Sequence, residues 1–484
     1  MSPQMLQRAQ NTAPGVAPEP VTPAPRNRAI GLFLILLAQL MLVLDATVVN
    51  VALPDIAVEL NFTAAGLSWV LSGYTLAFGG LLLLGGRLGD VFGRRRFFLI
   101  GLSVFVLSSL LGGLSVSPAM LITARALQGV GAALAAPSVL ALITTTAPDE
   151  AARNRGLAAF TAVSSGGAAL GLILGGILTD VLNWRATLFI NVPIGIAVVA
   201  LVPRFVGETE RRHGRFDVVG AIAATGAAAS VVWTLVKAPD VGWGSARTIG
   251  GFVLGAALVA LLAWVETHHA HPLLRPALLQ NRHRVAALVS IAGLYGVMLA
   301  TFFLLVQFLE NDLGMSPLTA GLAFLPMPVS IFIMSRFTPR LVQRFGPARL
   351  IVAGAVGVTA AMAWFSQLSG DAGYPSAAPA MFVMGVSMGL AFMPISVLVL
   401  GGVEPEHAGA ASGLLQTMQQ LGGSVGLAVV ASVYAAHQVQ GDFLHGSHYG
   451  FLAAAVLAAV ALIAALSQLV RRRPVVPRLA LDRS

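Results

Sequence analysis

The sequence predicts an all-α polytopic membrane protein with fourteen transmembrane helices: two six-helix halves and two extra helices between them. Three observations carry that prediction. Of 484 residues, 57% are hydrophobic and 10% charged, against roughly 25% charged in soluble domains. Apolar runs recur between short polar breaks, and most reach the ~20 residues needed to cross a hydrocarbon core of ~30 Å as a helix. The basic residues then sort by side. Of the 29 Lys and Arg, 25 lie in or beside alternate breaks; Arg185, Lys237 and Arg247 lie on the other side, and Arg125 alone lies deep within a run. Short Arg-rich loops stay cytoplasmic, and an even number of spans puts both termini there too.

Taken in order, the runs cover about 30–52, 66–85, 97–116, 119–142, 156–179, 186–206, 217–236, 248–267, 285–309, 318–337, 348–368, 378–400, 409–435 and 448–470. The resulting plan has a disordered cytoplasmic tail (1–28) and an N-terminal six-helix half (29–206). A linker with two extra transmembrane helices (207–284) follows, then a C-terminal six-helix half (285–470) and a basic cytoplasmic tail (471–484). The tail before residue 28 is rich in Pro, Ala and Gln, too polar to bury a core. The expected location is the cell membrane. The net charge of +9 sits in short loops, so no nucleic-acid partner is expected. Cysteine is absent, which excludes disulfides and thiolate metal sites.

The break between spans two and three reads Gly86-Arg87-Leu88-Gly89-Asp90-Val91-Phe92-Gly93-Arg94-Arg95-Arg96. Glycine permits a tight turn there, and Asp90 can pair with an arginine or with the positive end of a helix. The spelling resembles the Gly-x-Leu-x-Asp-x-x-Gly-Arg-Arg/Lys signature of the major facilitator superfamily, through Gly86, Leu88, Asp90, Gly93, Arg94 and Arg95. The resemblance implies the major facilitator fold, with Gly86, Asp90, Gly93, Arg94 and Arg95 as a cytoplasmic latch between the halves. A second basic loop, with Arg340, Arg344, Gly346 and Arg349, holds the corresponding place in the second half, as internal repeats require.

Asp45 is the first acid inside a span. A carboxylate at that depth costs at least ~2.5–3.5 kcal/mol on insertion scales and needs a partner, water or a proton. Arg125, equally isolated, demands a carboxylate or carbonyl, and Asp45 is the obvious candidate. Both segments carry the resemblance further. Leu44-Asp45-Ala46-Thr47-Val48-Val49-Asn50-Val51-Ala52-Leu53-Pro54 resembles the first-helix motif of the fourteen-helix drug:proton antiporter branch. Arg125, Gln128 and Gly129 stand as in the superfamily's fourth-helix motif. The resemblance implies proton coupling by Asp45 and Arg125; a purely structural polar contact is the alternative.

Gly167, Gly171 and Gly175 fall at i, i+4 and i+8 of span five, a stripe that lets another backbone approach. With Gly176 they resemble the antiporter-type glycine motif, except that Leu172 replaces its proline. That departure keeps proton-coupled symport open. Asn50, Gln128, Gln307, Met384, Met388, Gln416 and Gln419 are candidates to line a cavity, with simple packing as the alternative for most of them. His437, His445 and His448 lack the spacing and acids of a metal site, so no metal is expected.

No phosphate-binding Gly-x-x-x-x-Gly-Lys-Ser/Thr is present, so ATP is not the expected energy source; no cofactor is expected beyond the proton gradient. No enzyme motif is visible either. The expected function is export of hydrophobic or cationic small molecules in exchange for protons by alternating access, by a protein working as a monomer in the lipid bilayer. The alternatives are a dedicated exporter of one endogenous metabolite and a proton-coupled solute symporter. A membrane sensor or intramembrane enzyme would need an output domain or a catalytic constellation, and the sequence shows neither.

Overall fold

A computed structural model of the chain describes residues 25–145, 147–208, 218–268, 280–368, 373–401, 403, 408–438 and 443–469. The expected tails, up to residue 24 and from 470, and most of both polar linkers (209–217 and 269–279) lie outside the described residues. Every apolar run is helical. The first half comprises α1 Pro25–Val51, α2 Leu53–Glu59, α3 Ala64–Phe92, α4 Arg94–Gly113, α5 Pro118–Thr145, α6 Glu150–Val181, α7 Ala186–Phe189 and α8 Asn191–Phe205. The extra pair is α9 Val218–Val241 and α10 Ala246–His268. The second half comprises α11 Arg282–Gln307, α12 Pro317–Ala323, α13 Pro326–Phe345, α14 Pro347–Phe365, α15 Gly373–Leu400, α16 Ala408–Ala436 and α17 Phe443–Ser467.

Three expected spans are interrupted. The sixth breaks at Ile190 between α7 and α8. The ninth ends in a π-helical turn over Phe308–Asp312. In the tenth, Pro326 starts a new helix after α12, because proline cannot donate to the preceding turn. Among the described residues, twelve helical segments have the length and hydropathy to cross a membrane. With α9, whose apolar core is Ile222–Ala238, and the 29-residue α16, the architecture is compatible with fourteen spans.

The halves repeat one another in detail. Gly93 joins α3 to α4 at φ 111°, and Gly346 joins α13 to α14 at φ 80°. Both hairpins need the left-handed backbone that glycine adopts without strain. Between apolar helices in lipid, association rests on close van der Waals packing, and glycine supplies it in both halves. A Cβ on Gly175 would fall 2.7 Å from the Val48 carbonyl oxygen of α1, and one on Gly171 would collide with the Thr47 hydroxyl. In the second half a Cβ on Gly422 would fall 2.4 Å from Cα of Ala292, and one on Gly426 2.5 Å from Cα of Gly296.

Two seams join the halves. Along α3 and α16, Gly79 abuts Gln420, Leu83 abuts Gly413, and the hydroxyls of Thr75 and Ser424 are hydrogen-bonded. At the Arg-poor end α6 meets α12, where Cβ positions on Gly176 and Gly321 would lie 2.7 and 2.5 Å from the carbonyls of Pro317 and Leu172. There Val49, Ala52, Leu53, Ile56 and Leu172 join the core of the second half. The extra pair docks through α9, whose Val232 and Val236 pack with Leu76 of α3 and Ala428 of α16.

Candidate functional site

Asp45 and Arg125 meet in the core of the first half. Helical spacing puts Arg125 and Gln128 on one face of α5, turned toward the Asp45 face of α1. Arg125 Nη1 donates to Asp45 Oδ2 at 2.6 Å, and the two side chains are 1% and 0% exposed. Burial this complete is tolerable only when every charge is met by hydrogen bonds, and here it is. Gln128 Nε2 and Asn191 Nδ2 donate to Asp45 Oδ1 at 3.0 and 2.8 Å. Both amides also donate to Ser109 Oγ. Arg125 bonds the Gln128 carbonyl oxygen through Nη1 and the Val70 carbonyl through Nε, and its guanidinium lies 4.6 Å from the centre of the Tyr74 ring. The carboxylate thus receives three donors, and five helices of the first half (α1, α3, α4, α5 and α8) contribute to one network.

Sequence reading paired Asp45 with Arg125 but missed Ser109, Asn191 and Tyr74. The break at Ile190 holds the missing signal: an amide opening a helix immediately after an interrupted turn, placing Asn191 inside the bundle.

At the Arg-rich end, Asp90 and Arg94 form an ion pair one helical turn apart. The backbone N–H groups of Arg95 and Arg96, at the start of α4, donate to Glu208 at 2.9 and 3.2 Å. A carboxylate at a helix N-terminus satisfies orphan donors and meets the positive end of the dipole. Arg95 Nη1 also donates to the Val206 carbonyl. These contacts tie the loop to the end of α8 within the first half, with Glu208 as the partner that sequence reading did not single out. Gly86 lies against Pro137 of α5.

Of the expected cavity residues, Gln128 belongs to the buried network, while Met384 and Met388 are fully buried in the packed core of the second half. Gln307 is 7% exposed and Asn50 2%; Asn50 Nδ2 donates to the Ala46 carbonyl. Gln416 is exposed and Gln419 half-buried on α16. The three histidines gather around Tyr449, with ring centres 4.1 to 5.3 Å away.

At the Arg-poor end, Glu59 accepts from the Trp184 indole at 2.6 Å and pairs with Arg185. The Trp184 bond, with Arg185, holds its carboxyl below the usual glutamate range. Asp55 is pushed the other way, by desolvation and then by the charges of Asp180 and Glu59.

A bundle of long apolar helices in two repeated halves, with a charged pair buried in one of them, is the architecture of a membrane transporter rather than of an enzyme. The sequence matches the Major Facilitator Superfamily profile over residues 35–427, and the chain belongs to that family. It is 39% identical over 422 residues to the puromycin resistance protein pur8 of Streptomyces alboniger, covering 85% of this chain and 82% of that one. It is 38% identical over 456 residues to the cephamycin export protein CmcT of Amycolatopsis lactamdurans, covering 92% and 91%. Among solved structures, a peptide transporter POT superposes with a TM-score of 0.68 at 15% identity, over 91% of this chain and 93% of that one. At that identity the likeness shows the fold alone.

Proposed function

We propose that the protein exports hydrophobic or cationic small molecules, antibiotics among them, in exchange for protons. The observation that carries this reading is the Asp45–Arg125 pair, a charge couple sealed 0% and 1% exposed inside the transporter half. Arginine stays protonated, so the group whose charge can change is Asp45. A proton on Asp45, or a cationic substrate nearby, competes with Arg125 for the carboxylate and rearranges the donors from Gln128 and Asn191. Coupling between proton and substrate then needs no second chemistry. The names of the relatives, resistance to puromycin and export of cephamycin, support efflux and leave open whether this chain serves one compound or many.

The seams support alternating access about a central cavity. Contact between α6 and α12 closes the Arg-poor end, and in this reading α6 and α13 part toward the other. We take the Arg-rich end, with both termini, as cytoplasmic. Gln416, exposed roughly 12 Å along α16 from its start by helical rise, fits a water-filled lumen, since an amide facing lipid would lack partners. The Asp90–Arg94 pair with Arg95 is assigned the cytoplasmic latch, Gly167 to Gly176 the flexible seam, and the monomer the working unit.

The test uses the purified chain in liposomes holding a pH-sensitive dye, with an imposed proton gradient and a panel of lipophilic cations. Substrate addition is expected to drive proton flux in the opposite direction, and Asp45→Asn to abolish it. Flux in the same direction as substrate would make the protein a symporter, and undiminished flux in Asp45→Asn would remove Asp45 from the coupling.

A further inference from the structure

Between α9 and α10, where the pair turns at the Arg-poor end, lies a cavity of about 510 Å³, within the ~300–1,000 Å³ of small-molecule sites. Trp233, Thr234, Lys237, Arg247, Gly251 and Leu254 are among its lining residues. Its floor is a close helix crossing: a Cβ on Gly251 would fall 2.0 Å from Thr234 Oγ1, and Ser230 donates to the Gly251 carbonyl at 2.8 Å. Its rim is cationic. Three basic residues sit at this end of the transporter, against the charge bias that orients membrane helices. Two of them, Lys237 and Arg247, line this one cavity. Asp240 in the same turn leaves the segment 237–247 with a net charge of +1.

The flank is apolar and open. Trp233 is 59% and Leu254 55% exposed, and Ile249 and Val253 continue the exposed strip along α10. Trp233 stands 5.8 Å from the Trp69 ring, and tryptophans gather at the headgroup level of membranes. A cationic mouth joined to a lipid-facing apolar strip matches a phosphate-bearing amphiphile better than a soluble anion. We propose that this cavity binds the phosphate headgroup of an anionic phospholipid from the adjoining leaflet, with Lys237 and Arg247 on the phosphate and acyl chains along α10. The extra helices are then a lipid-binding module docked on the α3–α16 seam, independent of which solute the transporter carries.

The test is native mass spectrometry of the full-length chain released from detergent, with phosphatidylglycerol, phosphatidylcholine and glycerol phosphate added separately. Phosphatidylglycerol adducts are expected to outlast phosphatidylcholine adducts. The Lys237→Gln/Arg247→Gln variant should lose about 25-fold in phosphatidylglycerol affinity, each basic group near headgroups contributing roughly a factor of five. The charge-conserving variant Lys237→Arg/Arg247→Lys should retain it, which separates lost charge from lost fold. Equal retention of both lipids, or unchanged phosphatidylglycerol binding in the doubly neutralised protein, would overturn the assignment. So would equal binding of glycerol phosphate, which would make the occupant a soluble phosphate.

Discussion

Asp45 is stabilised as a carboxylate by three donors from three residues, and the loss of one should read out differently from the loss of all. Asn191 offers the cleanest cut, because leucine has nearly its shape and none of its donors. A hydrogen bond to a charged group contributes ~1.5–3 kcal/mol, and Asn191 supplies one to Asp45 at 2.8 Å. Asn191→Leu is expected to keep the transporter folded, to lower its unfolding temperature in detergent, and to weaken coupled proton flux. Unchanged coupling would make Asn191 a packing residue. Arg284 shows the contrasting, structural use of a buried arginine. It is 7% exposed and donates to the Val399 and Gly401 carbonyls, tying the start of α11 to the end of α15.

At the scale of elements, glycine decides which helices can close on one another. The α1–α6 contact in the first half and the α11–α16 contact in the second pair the first and fifth spans of each repeat, and both are built on glycine. A Cβ on Gly175 would fall 2.7 to 3.3 Å from backbone atoms of Val48, so no rotamer change can make room for a larger residue. Gly175→Val should therefore push α6 off α1, costing about 1–3 kcal/mol by overpacking, with a lower unfolding temperature and loss of most transport. Substitution at Gly166, where a Cβ would meet nothing within 4 Å, is the control and should be near neutral. Equal effects at the two positions would deny the seam its role. Leu172 matters at this scale too, since its carbonyl meets Gly321 of α12. The residue that departs from the family pattern thus sits at the junction between the halves.

For the whole molecule, the proposed alternating access requires the α6–α12 contact to open and close. A Cβ on Gly176 would lie 2.7 Å from the Pro317 carbonyl oxygen and 2.8 Å from Cα of Leu318, backbone atoms that no rotamer change can move. Gly176→Val is expected to hold the α6–α12 contact apart and to stop transport. Full transport by that variant would show that closing this contact is not required. The α3–α16 seam is zipped by Gly79, Gly413 and the Thr75–Ser424 bond.

The sequence alone determined the spans, because a bilayer imposes a length and a polarity that each helix must meet by itself. The apolar runs became helices, the sixth and tenth each in two pieces and the second running on through the Arg-rich break to Phe92, and Asp45 and Arg125 stood out because an ion at that depth must be answered. The hairpin glycines were legible for the same local reason. Only the tertiary structure decided who answers whom. Ser109, Asn191 and Tyr74 are ordinary residues in their own helices and acquire a role when five helices converge. Glu208 reaches the α4 N-terminus only because α8 ends beside it. The buried methionines of α15 were candidates for a cavity, and packing around them filled the space. The same physics explains the division: lipid tests each helix separately, whereas partners, cavities and seams arise from side chains brought together across long stretches of chain.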